Sequence, residues 1–461
     1  MMAPAAPTLE AFSLPYIPQK AVKHTFKNGH TLVFVQRSGA VFNISSWVKT
    51  GSMNEDEQNN GVSHFLEHLM FKGTPRFGAG VFDKKMESMG ALINAATWKD
   101  YTFYHVTGPN TQFNEFDTVV DMHADMILHS DLPDSEIGEA YDPDKGETPE
   151  LKRERGVVIE EIGLYEDRPW SRVYNLVNEI MYDESHPYRR EVIGTRHIVG
   201  TISREAILSY YRRWYTPENI TTLVVGDFEW DALKEKVEKA FNFADRPDAK
   251  DALKSYKEPA KVESFIGKIG QGERYIEQKS EFTTRFVTLG FHGPLASDLK
   301  ATLALDVAST VLGESRASRF NQKLVETQTP SAFNTISTAQ YALKLGNVFY
   351  IMANYNTAND EAALAELTAI LDAFTGEEPI TEEEFARTVK KMKVDFARGF
   401  ETCSGIADAL GDALTVTGSV EAVTGTLERL ESLTRQDVID AVNTFLKSSL
   451  AYTAVLVPQN D

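Results

Sequence analysis

An internal repeat constrains the fold of this chain more than any other feature of its sequence. The segment 202–207 reappears as 433–438, an offset of 231 residues, which is half of the 461-residue chain. In each copy a residue suited to cap a helix, Ser203 or Thr434, precedes an amphipathic helix and then a β-rich run. Because similarity at a fixed offset marks repeated architecture, we predict two copies of one domain instead of the three that length alone suggests.

The repeat divides the chain into three predicted ranges. They are an N-terminal domain over 1–243, a linker over 244–263 and a homologous C-terminal domain over 264–461. The linker range is polar, contains Pro259 and lacks periodicity, as expected of a linker. Strand-like and helix-like patterns mix within each half, so the predicted fold class is α+β, with a mainly antiparallel sheet and packed helices in each domain.

Hydrophobic periodicity predicts the elements of the N-terminal half. Alternating apolar residues indicate strands, and apolar residues three or four positions apart indicate helices. The predicted elements are strands near 31–50 and 101–108 and helices near 61–71, 113–129, 150–166 and 203–214. We expect the strands to pair mainly with near neighbours in the chain.

Charge and cysteine content exclude several classes of protein. The 47 basic and 67 acidic residues give a net charge of −20, which repels a phosphate backbone and argues against nucleic-acid binding. Apolar runs fall far short of the roughly 20 residues needed to span a bilayer, so no membrane span is expected. The single cysteine, Cys403, excludes an intramolecular disulfide and a cysteine-based zinc cluster.

The segment 61–73 contains a pattern of residues suited to metal chemistry. On a helix, His64 and His68 stand at positions i and i+4, so both imidazoles can reach one metal ion, and Glu67 lies on the same face. Imidazole nitrogen is a preferred zinc ligand, and a carboxylate beside the metal can take a proton from water. The spacing His-x-x-Glu-His is the inverted pattern of zinc peptidases.

A solvated helix face is the alternative interpretation of the same three residues. The surrounding residues Phe65, Leu66, Leu69, Met70 and Phe71 are apolar, so we expect the segment to be mostly buried. Burial of two imidazoles and a carboxylate without partners is costly. The pattern therefore favours a metal site.

A catalytic zinc site needs a third protein ligand and one open position. The best source is the acidic segment 154–162, in which Glu154 and Glu161 are seven residues apart and share a helix face. Glu160 points about 100° away from that face. One carboxylate can bind the metal while the other orients a ligand, although the segment taken alone also fits a charged surface helix.

These motifs resemble those of the inverzincin zinc peptidases, the superfamily of pitrilysin, insulin-degrading enzyme and mitochondrial processing peptidase. The resemblance covers nearly the whole chain and is to the bacterial two-domain type. It implies one Zn²⁺ per chain bound by His64, His68 and Glu161, with Glu67 as the catalytic residue and Glu154 as a supporting carboxylate. It also implies that the two domains form half of a clam-shell chamber.

The segment 90–97 resembles the substrate-binding edge strand of this superfamily. The resemblance implies that Asn94, Ala95 and Ala96 bind the substrate. An extended peptide adds to such an edge through main-chain hydrogen bonds that depend little on its side chains. A strand with only a structural role is the alternative.

The C-terminal copy lacks the metal pattern. Aligned on the glycine that follows each motif, the three site residues correspond to Ala304, Val307 and Ala308. The second domain of the superfamily usually contributes an Arg and a Tyr to substrate binding, but here those positions carry Val325 or Glu326 and Phe333. The resemblance therefore implies the zinc-bearing subunit of a heterodimer whose homologous, zinc-less partner supplies the pair; a homodimer is the alternative.

The predicted function is zinc-dependent endopeptidase cleavage of peptides or unfolded segments that are held as an added β-strand. The alternatives are a non-proteolytic structural subunit and a peptide-binding chamber of the same fold. Residues 1–7 do not form a signal peptide but resemble what remains after one is removed. We therefore favour a bacterial periplasmic location over a cytoplasmic one.

Overall fold

The structure, a computed structural model, describes most of the chain. The described residues are 8–111, 115–246, 273–326, 332–356 and 359–459. From position 247 onward, the predicted linker over 244–263 lies outside the described residues.

Twelve β-strands in the described part of the chain form two sheets. The strands are Thr8–Leu14 (β1), Ile17–Thr25 (β2), Thr31–Gln36 (β3), Val41–Val48 (β4), Leu92–Thr97 (β5), Thr102–Pro109 (β6), Ile220–Gly226 (β7), Tyr275–Ser280 (β8), Arg285–His292 (β9), Phe333–Tyr341 (β10), Val348–Tyr355 (β11) and Tyr452–Pro458 (β12).

Sixteen α-helices in the described part of the chain accompany the sheets. The helices are Val62–Met70 (α1), Val81–Ser88 (α2), Glu115–His129 (α3), Asp134–Ile137 (α4), Arg153–Glu166 (α5), Pro169–Met181 (α6), Arg196–Thr201 (α7), Arg204–Trp214 (α8), Trp230–Ala240 (α9), Leu299–Leu312 (α10), Asp360–Thr375 (α11), Glu382–Gly399 (α12), Cys403–Val416 (α13), Glu421–Thr424 (α14), Thr426–Ser432 (α15) and Arg435–Phe445 (α16). Among these described helices, none combines the length and apolar character that crossing a bilayer requires.

The two sheets repeat one plan. Their strand orders are β1-β2-β3-β7-β4-β6-β5 and β10-β11-β9-β12-β8. In each sheet one described pair is parallel, β3 with β7 and β8 with β12, and the other described pairs are antiparallel. Each parallel pair joins an early strand of its half to the last strand of that half. The predicted α+β class, with a mainly antiparallel sheet in each of two domains, is confirmed.

The repeated helices begin as the sequence predicts. The Ser203 side chain accepts a hydrogen bond from the Ala206 N–H at the start of α8, and the Thr434 side chain does the same with Asp437 at the start of α16. Each helix leads into an interior strand of its sheet, β7 or β12. The predicted strand near 31–50 is divided into β3 and β4, because a bend that contains Gly39 at φ +151° separates them.

The chain forms two compact units, each built from both halves of the sequence. Unit 1 comprises Met1–Gly163, Arg190–Glu258 and Ala397–Thr424, and unit 2 comprises Leu164–Arg189, Pro259–Phe396 and Gly425–Asp461. Helix α6 belongs to unit 2, where it packs on β9 and β12, and helix α13 belongs to unit 1, where it packs on β4 and β7. The predicted ranges follow the repeat and therefore divide the chain at a single place, the linker. The assignment of one domain to each half of the sequence remains a prediction.

Glycine permits each of these two helices to approach its sheet closely. A Cβ atom at Gly411 of α13 would lie 2.0 Å from the Trp47 indole of β4. A Cβ atom at Gly290 of β9 would lie 2.3 Å from the Met181 sulfur of α6. Both distances are shorter than any van der Waals contact, so a Cβ atom at either position requires a neighbour to move: the fixed Trp47 ring at Gly411, and the flexible Met181 side chain at Gly290.

Candidate metal centre

Helix α1 begins at a buried carboxylate and a glycine. The carboxylate of Glu55 accepts hydrogen bonds of 2.8 Å from the backbone N–H groups of Gly61 and Ser63, which have no partner within the helix. Gly61 has a φ of +95°, and a Cβ atom there would lie 2.7 Å from the Ile193 carbonyl oxygen. Burial raises the pKa of Glu55, while hydrogen bonds from Ser63, Gly61 and Asn60 oppose that shift. These contacts place the start of α1 two residues before His64.

Helix α1 buries its apolar residues and leaves its two histidines half-buried. Phe65, Leu66 and Leu69 are fully buried in the core of unit 1. The rings of His64 and His68 lie one turn apart, with 4.8 Å between their centroids. The i, i+4 spacing therefore brings both imidazoles to one side of the helix, as predicted.

Glu161 of α5 lies against both histidines. Its Oε2 atom is 3.8 Å from His64 Nε2 and 3.5 Å from His68 Nε2, and one donor atom from each of the three residues lies within 4.8 Å of the others. In a tetrahedral site with bonds of about 2.0–2.1 Å, zinc ligand atoms stand about 3.4 Å apart. The two nitrogens and the oxygen therefore fit a zinc ion in both chemical type and spacing.

Glu154, two turns earlier on α5, contacts the opposite edge of the His68 ring. Its Oε2 atom is 3.4 Å from His68 Nδ1, and its Oε1 atom is 2.7 Å from Lys72 Nζ. Burial acts to raise the pKa of Glu154, but the hydrogen bonds with His68 and Lys72 outweigh it and lower the pKa. Sequence reasoning missed Lys72, although its position four residues after His68 was an available signal.

Burial and neighbouring groups give the two histidines different protonation states. Burial, and then the nearby His68, lowers the pKa of His64 to about 4. Burial also acts to lower the pKa of His68, but hydrogen bonds with Glu154 and Glu161 outweigh it and raise the pKa to about 9. His64 is therefore neutral near pH 7, as a metal ligand must be, whereas the carboxylates favour a proton on His68 when no metal competes for it.

Glu67 is held from strand β5. The Thr97 hydroxyl donates a hydrogen bond of 2.6 Å to Glu67 Oε2. Burial raises the pKa of Glu67, while the hydrogen bond from Thr97 and the charge of His68 oppose that shift. Sequence reasoning missed Thr97 because the contact joins residues 30 positions apart, and its place at the end of the predicted edge strand was the only signal.

Strand β5 lies at the edge of its sheet. Among the described residues it pairs only with β6, in a register that sets Asn94 opposite His105 and Ala96 opposite Phe103. Asn94 and Ala96 are exposed, and Ala95 is half-buried. The residues predicted to bind substrate therefore lie on an edge that an extended peptide could join, and α1 packs against the same strand.

In unit 2, helix α10 takes the place that the repeat assigns to α1. Its residues Ala304, Val307 and Ala308 are buried in the core. Phe333 is buried as well, and Val325 packs against the same core. At the positions that correspond to His64, Glu67 and His68, the second copy supplies apolar packing.

Comparison with known proteins identifies the family of the chain. Residues 33–196 match the family described as insulinase (peptidase family M16), and residues 201–392 match the peptidase M16 inactive domain. The chain therefore belongs to the M16 peptidases and carries their N- and C-terminal domains. The membership that the motifs predicted is confirmed.

Individual relatives and solved structures agree with this assignment. Zinc protease PqqE of Helicobacter pylori is 28% identical over 448 residues, which are 96% of this chain and 94% of that protein. The uncharacterized zinc protease YmxG of Bacillus subtilis is 30% identical over 311 residues, 68% of this chain and 66% of that protein. A crystal structure of a protease from Helicobacter pylori matches with a TM-score of 0.80 at 24% identity, covering 98% of this chain and 100% of that one. A peptidase M16 inactive domain from Pseudomonas fluorescens matches with a TM-score of 0.79 at 14% identity, covering 98% of each chain. Both structures share the two-domain fold.

Proposed function

We propose that this chain is a zinc-dependent endopeptidase that cleaves peptides or unfolded segments. The observation that carries the proposal is the convergence of His64, His68 and Glu161, whose donor atoms lie within 4.8 Å of one another, with Glu67 on the same helix as the histidines. The names of the relatives in Helicobacter pylori and Bacillus subtilis, both zinc proteases, support it.

The residues of the centre would have different roles in hydrolysis. His64 and His68 would hold one zinc ion through Nε2 and Glu161 through its carboxylate, while Glu154 keeps the His68 ring in place from Nδ1. A bound zinc ion supplies the positive charge that acidifies water and polarises a carbonyl group. Glu67 takes the proton from the attacking water and passes it to the leaving amine.

The edge strand β5 would hold the substrate. A peptide that pairs with Asn94, Ala95 and Ala96 through its main chain becomes one more strand of the sheet. This mode of binding requires an extended segment of several residues, because the backbone N–H and C=O groups of every second residue of the peptide must face the strand. Unfolded segments and short peptides meet this requirement, whereas a folded domain does not expose such a segment.

A homologous subunit would complete the catalytic surface. Phe333 at the Tyr position, and Val325 or the carboxylate of Glu326 at the Arg position, carry no hydrogen-bond donor in their side chains, so none of them replaces the Arg and Tyr expected from the second domain. A donor that stabilises the developing oxyanion contributes about 10²–10³ in rate. We therefore expect weak cleavage by the isolated chain and strong cleavage with a zinc-less homologue that carries the pair. Full activity of the chain alone would contradict the heterodimer and favour a homodimer.

The substitution Glu67→Gln tests the proposed enzyme. We expect the variant to retain one zinc ion per chain, measured by elemental analysis, and to lose cleavage of an unfolded peptide, because the amide cannot take a proton. Glu160→Gln is the matched control, because Glu160 is exposed and its substitution removes one carboxylate, as Glu67→Gln does. The proposal fails if zinc-loaded wild type, with its partner, cleaves nothing, or if Glu67→Gln cleaves as well as wild type.

A non-proteolytic role is the second candidate. The C-terminal match is to a domain described as inactive. At the positions of the expected donors this chain has Phe333, which is buried, and Val325 or Glu326, which are half-buried and exposed. A structural subunit would bind no zinc and cleave nothing, and a peptide-binding chamber would bind peptide without cleaving it. Elemental analysis and a peptide-binding measurement on wild type separate these outcomes from proteolysis.

A bacterial periplasmic location is part of the proposal. Its support is indirect: the relatives are bacterial, and one structural neighbour is a periplasmic protease, PqqL from Escherichia coli, with a TM-score of 0.71 at 19% identity. Fractionation of the native host tests it, and recovery of the chain with cytoplasmic markers would contradict it.

A further inference from the structure

We infer that Thr97 is the positioning residue for Glu67, so that the strand proposed to hold the substrate also orients the proposed base. This inference rests on the proposed function. The Thr97 hydroxyl donates to Glu67 Oε2 at 2.6 Å. This hydrogen bond restricts rotation of the carboxylate, which would otherwise be free to turn about its terminal torsion. With Oε2 held in this way, Oε1 can serve for proton transfer.

The backbone of Thr97 is itself held firmly. Thr97 is the last residue of β5 and pairs with Thr102 of β6, and the turn that follows is closed by a hydrogen bond of 2.8 Å from the Trp98 N–H to the Tyr101 carbonyl. The Trp98 carbonyl in turn accepts a hydrogen bond of 3.2 Å from the Ser52 N–H. Thr97 is therefore anchored to two segments of unit 1, as a residue that supports a catalytic group needs to be.

The contact also links substrate binding to the base. A peptide that joins β5 forms main-chain hydrogen bonds with the strand that ends at Thr97, so one strand positions both the substrate and Glu67. A displacement of about 1 Å at a reacting group can cost about 100-fold in rate. Loss of the hydroxyl should therefore reduce turnover more than it reduces substrate binding.

Three variants test the inference in the zinc-loaded protein with its partner. Thr97→Val keeps the shape and removes the donor, and we expect kcat to fall about 10–100-fold with KM changed less than about threefold. Thr97→Ser keeps the donor and should recover most of the lost kcat. Thr335→Val, at an exposed position of the edge strand β10, is the matched control and should leave both constants unchanged. Equal kcat in Thr97→Val and wild type, or equal losses in Thr97→Val and Thr97→Ser, would overturn the inference.

A second measurement does not depend on activity. In the metal-free protein, the changes in melting temperature caused by Thr97→Val and Glu67→Leu should not add in the double variant, because valine lacks the donor, leucine lacks the acceptor, and either change alone removes the same contact. Strict additivity would overturn the inference. If the proposed function fails because wild type cleaves nothing, this cycle still decides whether Thr97 holds Glu67.

Discussion

The two carboxylates of α5 differ in how they approach the histidines, and this difference predicts distinct effects on zinc binding. Glu161 Oε2 lies 3.8 and 3.5 Å from the Nε2 atoms of His64 and His68, whereas Glu154 reaches only His68 Nδ1, at 3.4 Å. We expect Glu154→Gln to weaken zinc affinity about 10–100-fold, the range for groups that support a ligand. This loss corresponds to about 1.4–2.8 kcal/mol. Glu161→Gln removes a ligand charge and should weaken affinity by more than Glu154→Gln.

Zinc affinity can be measured by competition with a chromophoric chelator at fixed pH and ionic strength. Glu160→Gln is the control on the same helix, because it removes the same charge at an exposed position and should leave the affinity within about twofold of wild type. Thermal unfolding gives an independent readout, since a ligand at 100 times its Kd stabilises the folded state by about 2.7 kcal/mol. At one fixed zinc concentration, this stabilisation should decrease in the order wild type, Glu154→Gln, Glu161→Gln.

Two results would refute this assignment of roles. If Glu161→Gln binds zinc as tightly as Glu160→Gln, the oxygen between the two histidines is not a ligand. If Glu154→Gln weakens binding more than Glu161→Gln, the two carboxylates have exchanged roles, and the contact of Glu154 with His68 Nδ1 is not a supporting one. Either result would leave the M16 fold intact but would require another metal geometry.

Two further predictions concern stability. Gly411→Ala places a methyl group 2.0 Å from the Trp47 indole, so the free energy of unfolding in urea should fall by about 1–3 kcal/mol; unchanged stability would contradict the close packing of α13 on β4. In the metal-free protein, the pKa of His68 is raised from 6.5 to about 9, mainly by hydrogen bonds with Glu154 and Glu161 that overcome burial. A raised pKa stabilises the folded state fully below about pH 6.5, and this contribution is lost as pH rises through 9. The melting temperature should fall across that interval, and His68→Gln should reduce the fall.

The sequence predicts those parts of the centre that depend on local periodicity. His64 and His68 share a helix face because they are four residues apart, and Glu154 and Glu161 because they are seven apart. The structure then brings these two helix faces together through the fold of unit 1, as the resemblance to M16 peptidases implied and as spacing alone could not establish. Their roles as ligand and supporting group remain predictions.

Other contacts leave little signal in a single sequence. Thr97 contacts Glu67 across two elements, and apart from the place of Thr97 at the end of the predicted edge strand, nothing near either residue indicates the other. In the same way, an amphipathic pattern shows that α13 buries one face but does not identify the sheet that receives it. Only the glycine at 411 marks a close approach, and glycine has many other uses. The repeat suggests two contiguous halves, and on that basis a contact between α13, late in the sequence, and β4, early in the sequence, is not expected.

The placement of α6 and α13 has a consequence for how the chain is made. The face of β4 and β7 that carries Trp47 is covered by a helix which leaves the ribosome only after most of the polypeptide has been synthesised. Until then the N-terminal half exposes apolar surface, the condition under which nascent chains aggregate or engage chaperones. A fragment that ends at the predicted linker would stay in this state permanently, because it lacks α13. Attempts to express either half alone should therefore supply the missing helix in trans or by circular permutation.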